Sequence, residues 1–549
     1  PEAVKTLQCA LKKIEDWSHM WGFQICPSKT KAIIFSRKRN NIASPLQLLN
    51  NDIKYVKHTK FLGLNFDQKL NWAHHINEVK NKCQKDLRLF NIISACKWGS
   101  DCETLKRLYT TLTRPKLEYA CFLFSTAAAS NLIHLDRIQY SAIRTMLGAL
   151  RCTCTYKLEV EANLMPLKLR REMLLSQYAN RIICIPNHPV RNNLYTCHQY
   201  QQILGNDYLL PATNRILRQF TQMEIDHKSI PTIDSACKYK RIHQLPAYST
   251  LANTAKSNYS PKQWLQLFNN LQSSHRDRIA VYSDGSVQGN SSGCGVFCTQ
   301  FQLLAHLPEN TTIFTAELYA IYAALNFIKK YPDKYIIFSD SLSCISALQG
   351  INASKHYLVA QTANLLNDLQ GRVIIEWVPG HTGIPGNEKA DSLAKLSLEL
   401  SSITKILPST SELKKQITKF HMEKWQSEWS KLSQGLTSFK PKIEKTTTTS
   451  AIPRRQQIAI TRLRLGASML THGHYITGNP RIICPACSTP ITPQHLLVTC
   501  PTFAQQRTIL MTTCRALGRP LSMASLLNQE FPADILAEYL KLTGFTNKI

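Results

Sequence analysis

Hydrophobic and polar positions divide this chain into three stretches that differ in periodicity. Across 3–17 apolar residues return at helical spacing (Val4, Leu7, Leu11, Ile14), and the runs 32–35 and 60–67 read as strands. Helical patterns continue to about residue 185, and the polar, proline-scattered stretch 186–275 reads as a connector with some helix. The middle stretch is different. Residues 279–283 alternate as a strand, and 293–297 and 302–305 predict two more strands of an antiparallel meander. Leu318, Ile321, Tyr322, Leu325 and Ile328 share one face of a helix over 314–330, with Glu317 in its first turn. An apolar strand over 334–338, helices over 341–348 and 357–369, a strand over 372–377 and a helix over 387–398 complete an α/β unit. The order predicts a mixed five-stranded sheet with flanking helices, after a helical region and before a mostly helical tail.

Four acids stand where these burial patterns end. The first strand delivers Asp284 to its end, with Gly285-Ser286 turning the chain. Asp340 follows the fourth strand, and Glu317 and Asp391 project from helices near those ends. Four converging carboxylates without cations would raise one another's pKa, so the arrangement predicts bound divalent cations. Two such cations can cleave a phosphodiester with no covalent intermediate, which is nuclease chemistry. The tail has a different ligand set, Cys484-x2-Cys487-x7-His495-x4-Cys500. Two thiolates in one turn, then an imidazole and a third thiolate, close a tetrahedral site with no open position: one structural Zn²⁺.

Charge sharpens this picture. The 549 residues carry a formal +30, of which 1–275 hold +20, 276–398 hold −1 and 399–549 hold +11. A near-neutral acid-bearing segment between basic flanks fits a polyanion gripped by the flanks while the middle does metal chemistry. The 18 cysteines are scattered without the spacing of a secreted disulfide scaffold, which predicts an intracellular protein, in cytoplasm or nucleus. No apolar run reaches the roughly 18 residues of a membrane span. The chain opens on Pro1 with no signal peptide, and is expected to be cut from a longer polypeptide.

Three resemblances follow from the motifs. Trp17-x3-Trp21-Gly-Phe-x-Ile-x-Pro-x-Lys29-Thr30, Phe61-Leu-Gly-Leu-x-Phe-Asp67 and Leu135-Asp-Arg-Ile-Gln139 resemble the palm end and thumb of non-long-terminal-repeat retrotransposon reverse transcriptases. Those enzymes hold metal on an aromatic-x-Asp-Asp turn, and no Asp-Asp pair occurs in this sequence, so no reverse transcriptase activity is expected from this chain alone. Asp284-Gly-Ser, Thr-Ala-Glu317, Ser-Asp340-Ser and Trp-Val-Pro-Gly-His381-x-Gly-Ile-x-Gly-Asn-Glu-x-Ala-Asp391 are similar to type 1 ribonuclease H, especially the copy in these retrotransposons. That resemblance implies cleavage of RNA in RNA–DNA hybrids by two Mg²⁺, bridged by Asp284 and completed by Glu317, Asp340 and Asp391. It also implies that His381 assists proton movement or product release. Gly285, Ser286, Asn290 and Asn387 are expected substrate contacts, Asn290 matching a family position that touches substrate. Ile313 and Phe314 stand where the family often has polar residues, and 341–371 has no room for the basic protrusion of some cellular members. Finally, Arg462-Leu-Arg464-Leu-Gly466 with the cysteine–histidine spacing resembles the zinc-binding segment that follows ribonuclease H in these elements, and Arg462 and Arg464 are expected to touch nucleic acid.

The resulting plan is 1–185 palm remnant and thumb, 186–275 connector, 276–398 ribonuclease H domain, 399–450 linker with a helix and a spacer at 445–449, and 451–549 zinc-binding segment. The expected partners are an RNA–DNA hybrid, other nucleic acid and an upstream polymerase part of the polyprotein, with no membrane. The alternative reading is a catalytically silent nucleic-acid-binding remnant.

Overall fold

The apolar runs between residues 279 and 377 become strands of one sheet buried on both faces. A computed structural model describes residues 2–36, 44–196, 210–232, 245–253, 258–350, 356–432, 436–438, 440–444 and 452–549. The described chain forms two compact units, 173–422 and 1–172 with 423–549. The spacer at 445–449 lies outside the described residues.

In unit 173–422 the sheet and the helices named with it are β1 (Ala247–Tyr248), α1 (Pro261–Ser273), β2 (Ile279–Gln288), β3 (Ser291–Cys298), β4 (Gln302–Leu307), α2 (Ile313–Ile328), β5 (Tyr335–Ser339), α3 (Leu342–Gln349), α4 (Tyr357–Asp368), β6 (Val373–Trp377) and α5 (Pro385–Leu396), besides the helices Pro189–Thr196, Ala212–Gln222 and the start of Thr410–Ser430. The sheet order is β1-β6-β5-β2-β3-β4, parallel from β1 to β2 and antiparallel from β2 to β4. Ile337, Val373 and Val281 face a core shared with α2, α3 and α4. Ile336, Phe338 and Tyr282 face the other way, with Phe268 of α1 and Ala390 of α5. Period-2 alternation is hidden in β5 because both faces are covered. Each fully buried Ile or Phe here contributes about 1.5–3 kcal/mol.

Three details depart from the sequence reading. The sheet has a sixth strand, β1, and α1 also packs on it, so the stretch read as connector supplies two elements of this fold. Gly285 and Ser286 do not turn the chain. They pair with Cys294 and Gly293 inside a long β2, and the turn comes at Gly289, with φ +61°, and Asn290. The antiparallel partner β3 sustains β2 after its parallel partner β5 has ended. Glu317 is the fifth residue of α2, in the second turn and not the first.

In the other unit, helix Ala73–Ile93 packs against Ala129–Leu147, and Arg454–Leu465 lies on Ala129–Leu147 and Thr155–Ala162. Arg464 is buried there, its guanidinium forked on Glu161 at 2.7 and 3.2 Å. Arg462 donates to the carbonyls of Gly148 (2.7 Å) and Ile549 (2.9 Å). The expectation that these arginines meet nucleic acid is therefore corrected for Arg464. A desolvated guanidinium needs a carboxylate beside it, and Glu161 supplies one. Trp429 is buried, donates Nε1–H to the Lys440 carbonyl at 2.9 Å and lies against Tyr156. Among the described residues no helix is long and apolar enough to cross a membrane.

Candidate active site

Register sets the first two acids side by side. Ser339 of β5 pairs with Ser283 of β2, so Asp340 and Asp284 each lie one residue beyond the same rung. Two glycines then admit the helices that bring the others. A Cβ on Gly285 would sit 2.5 Å from the Glu317 nitrogen, so α2 presses on β2 there. Gly295, opposite Asp284 in the β2–β3 register, gives α5 the same access, since a Cβ would strike the backbone of Ala390 and Ala394 on either side of Asp391 in sequence.

The oxygens of Asp284, Glu317 and Asp340 come within 4.8 Å of one another. Asp284 is 5% exposed and Glu317 7%. The Asp284 Oδ1 accepts the Gly285 N–H at 2.7 Å, whereas Oε2 of Glu317 is buried with no hydrogen-bond partner. Burial, then the charge of Asp340, pushes the Asp284 carboxyl up to about 7. Glu317 is raised well above the usual carboxylate range by burial and by the charges of Asp284 and Asp340. Asp340 is also raised by burial, against the pull of the Asn387 side chain and the positive field of His381. Such a cluster must hold either protons or cations. Its hard oxygen donors, one of them unpartnered, fit a divalent ion of the Mg²⁺ class.

Asp391 is not in that trio. It shares a second cluster with His381 and Glu388, whose ligand atoms also lie within 4.8 Å of one another, and its Oδ2 pairs with Lys395 Nζ at 2.7 Å. Its charge still raises Asp284 and Asp340, so the two clusters feel one field. His381 is exposed at φ 54°, a left-handed backbone that few β-carbon-bearing residues adopt. Asn290 is exposed on the β2–β3 turn, while Ser286 and Asn387 are buried. Glu388 and Lys395 were missed from sequence. The available signal was helical spacing, because Glu388 and Lys395 lie three residues before and four after Asp391, on one face.

In the other unit, Cys484, Cys487, His495 and Cys500 form a third cluster. The Cys500 sulfur is 3.8 Å from that of Cys484 and 3.9 Å from that of Cys487. Thiolates bonded at about 2.3 Å to one tetrahedral ion stand about 3.8 Å apart, so the spacing fits a shared metal. The His495 side chain, then backbone N–H groups, pull the Cys484 thiol down to about 6. A tight turn with Ser488 at φ 52° and the Ser488 N–H on the Cys484 carbonyl (2.8 Å) shape the first pair of ligands.

Parts of this chain are similar to known proteins. Residues 276–399 match the RNase H family model. The chain is similar to a ribonuclease H of Ruthia magnifica subsp. Calyptogena magnifica, 30% identical over 142 residues, 22% of this chain and 97% of that protein. It is similar to the RNA-directed DNA polymerase from mobile element jockey of Drosophila melanogaster, 21% identical over 189 residues, 34% of this chain. The chain spans about a fifth of the length of the jockey polymerases it matches. Among solved structures, LC11-RNase H1 from compost matches at 23% identity and TM-score 0.20, over 22% of this chain and 96% of its own.

Proposed function

This chain belongs to the ribonuclease H family, and on that premise we propose that it cleaves the RNA strand of RNA–DNA hybrids endonucleolytically, within a non-long-terminal-repeat retrotransposon polyprotein. The observation that carries the reading is the meeting of three carboxylates, from β2, from α2 and from the residue after β5, one with an unpartnered buried oxygen. Asp284, Glu317 and Asp340, with Asp391 nearby, would hold two Mg²⁺. When bound, the ions supply an activated water and neutralise charge on the leaving oxygen.

The chain's own groups do the rest. The Asn387 side chain beside Asp340 favours its charged form, and Lys395 pairs with Asp391. His381, exposed on its loop beside Asp340, would take a proton from solvent and deliver it to the departing oxygen as its bond to phosphorus breaks. Choice of the RNA strand rests on its 2′-hydroxyls, with Gly285, Ser286, Asn290 and Asn387 as the proposed contacts. The basic flanks grip the polyanion and other nucleic acid. Cys484, Cys487, His495 and Cys500 would hold one structural Zn²⁺, since four protein donors leave no position for chemistry. Similarity to the jockey polymerase supports an upstream polymerase part as the covalent partner, and an intracellular site of action goes with that origin.

The test is cleavage of a labelled RNA–DNA hybrid with Mg²⁺ by this chain and by Asp340→Asn. The substitution is expected to cost at least about a hundredfold, the scale of one preorganised electrostatic contact. Equal cleavage by both proteins would refute the assignment. Salt-sensitive hybrid binding with no cleavage by either would favour the silent remnant.

A further inference from the structure

One carboxylate, that of Glu412, accepts hydrogen bonds at the start of two helices. Its Oε2 takes the Ser409 N–H (2.7 Å), and the Ser409 hydroxyl faces the Glu412 N–H (3.4 Å). Together they cap the helix Thr410–Ser430, in which Glu412 lies. Its Oε1 takes the Thr312 N–H (2.9 Å) and the Thr312 hydroxyl (3.3 Å). Thr312 is the N-cap of α2, the helix that carries Glu317. Glu412 is buried, and it lies beyond the span 276–399 that matches the family.

The chain reaches this point along a tied path. The Leu400 carbonyl lies 2.7 Å from His306 Nδ1 at the end of β4, Ile403 bridges His306, and the Thr404 N–H donates to the His306 carbonyl at 2.7 Å. The Leu407 carbonyl then accepts the Tyr357 hydroxyl of α4 at 2.7 Å. At the α2 start, Thr315 Oγ1 meets His356 Nε2 at 3.2 Å, and His356 Nδ1 accepts the Leu358 N–H that opens α4. The beginnings of α2 and α4 and the segment 400–412 are thus one hydrogen-bonded network.

We propose that residues 400–412 are a strap that completes the nuclease site, with Glu412 as the positioning residue that fixes α2 and so sets where Glu317 meets a divalent cation. The proposal rests on the nuclease reading above. A negative charge at a helix N-terminus satisfies N–H groups that have no partner within the helix. α2 also packs closely on Gly285, where an added β-carbon would lie 2.5 Å from the Glu317 nitrogen. Held between β2 and Glu412, the first turns of α2 have no freedom to slide. Without Glu412, Thr312 loses its acceptor, the helix start shifts, and Glu317 moves with it.

The test uses the full chain with Glu412→Gln, which keeps an acceptor oxygen but not the charge, and Glu412→Ala, which keeps neither. Mn²⁺ affinity is measured by calorimetry, thermal unfolding checks that each variant is folded, and hybrid cleavage is followed against Mg²⁺ concentration. We expect Mn²⁺ affinity to fall about tenfold in the alanine variant and less in the glutamine variant. Cleavage should recover at high Mg²⁺, with KM for the hybrid unchanged. Folded variants with wild-type Mn²⁺ affinity would overturn the proposal, as would a loss no larger than the unfolded fraction. Wild-type protein that binds Mn²⁺ but leaves hybrids intact would refute the hydrolysis reading while the Mn²⁺ titration still decides the strap.

Discussion

Gly380 lies so close to Asp340 that a methyl group on its α-carbon would strike Oδ2 of that carboxylate. The loop after β6 therefore bounds the space in which Asp340 can point. Gly380→Ala is expected to turn the carboxylate aside without disturbing the core, because the obstructed atom is the far end of a side chain. Misplacing a catalytic group by about 1 Å can cost a hundredfold, so hybrid cleavage should drop roughly ten- to a hundredfold. The melting temperature should move by no more than about 2 °C. Full activity in this variant would show that the orientation of Asp340 is not needed.

The carboxyl trio makes metal and pH interchangeable. Asp284 is raised from 3.8 to about 7 by burial and by Asp340. A raised acid favours folding most when protonated, so its contribution is full below the unfolded pKa and is lost as pH climbs through the folded value. Chelated protein should thus lose stability between about pH 4 and pH 7, and Mg²⁺ should restore more at the upper end. Asp284→Asn has no charge to strain, so its melting temperature in chelator should be flatter over that window. Parallel curves for both proteins would show that Asp284 is not the strained group.

The placing of Asp340 and Asp284 side by side was legible because apolar runs lead up to both, and the Ser339–Ser283 pairing sets those runs in register. What stayed hidden depended on partners distant in sequence. Gly285-Ser286 has turn composition, yet it stays in β2 because Cys294 and Gly293 pair with it. The strand β1 is two residues long, too short to carry a period, and exists only because β6 offers an edge. Asp391 was placed with the other acids, whereas its nearest ligand-bearing neighbours are His381 and Glu388. Glu412 was invisible for another reason. The Ser-x-x-Glu pattern accounts fully for it as a cap, and nothing local announces its second helix.

Two glutamates one residue apart in Thr155–Ala162 should respond oppositely to the same change. Glu159 is raised to about 8, chiefly by burial, and accepts one hydrogen bond from Gln139 at 3.0 Å. Glu161 is held below the usual range by Arg464 and Lys440, which outweigh its burial. Glu159→Gln should be neutral or stabilising, and should remove a loss of stability that otherwise develops from about pH 4.5 to pH 8. Glu161→Gln strands a buried guanidinium and should cost about 3–5 kcal/mol. Denaturant unfolding at neutral pH separates them, and equal destabilisation by both would contradict the assigned charge states.

If the cysteine–histidine cluster holds the proposed Zn²⁺, chelation should loosen one region and leave hybrid cleavage unchanged. The turn His495–Thr499 buries Leu496 and Leu497, with the Leu496 carbonyl on the Tyr539 hydroxyl (2.6 Å) and the Leu497 carbonyl on Arg507 (3.1 Å). These contacts are expected to weaken when His495 and Cys500 no longer share a metal at the two ends of the turn. The Cys484 thiol is pulled down to about 6 while burial and its sulfur neighbours push the Cys487 thiol up to about 11, so zinc entering this site would have to displace protons. Purified protein should carry one zinc per chain at neutral pH and release it on acidification, as protons compete for the ligands. Cys484→Ser with Cys487→Ser should abolish zinc content and speed amide exchange across 484–500, while Mg²⁺-dependent hybrid cleavage stays near wild type. Unchanged exchange in a protein that never held zinc would mean that packing under Leu496 and Leu497, and not the ion, fixes this turn.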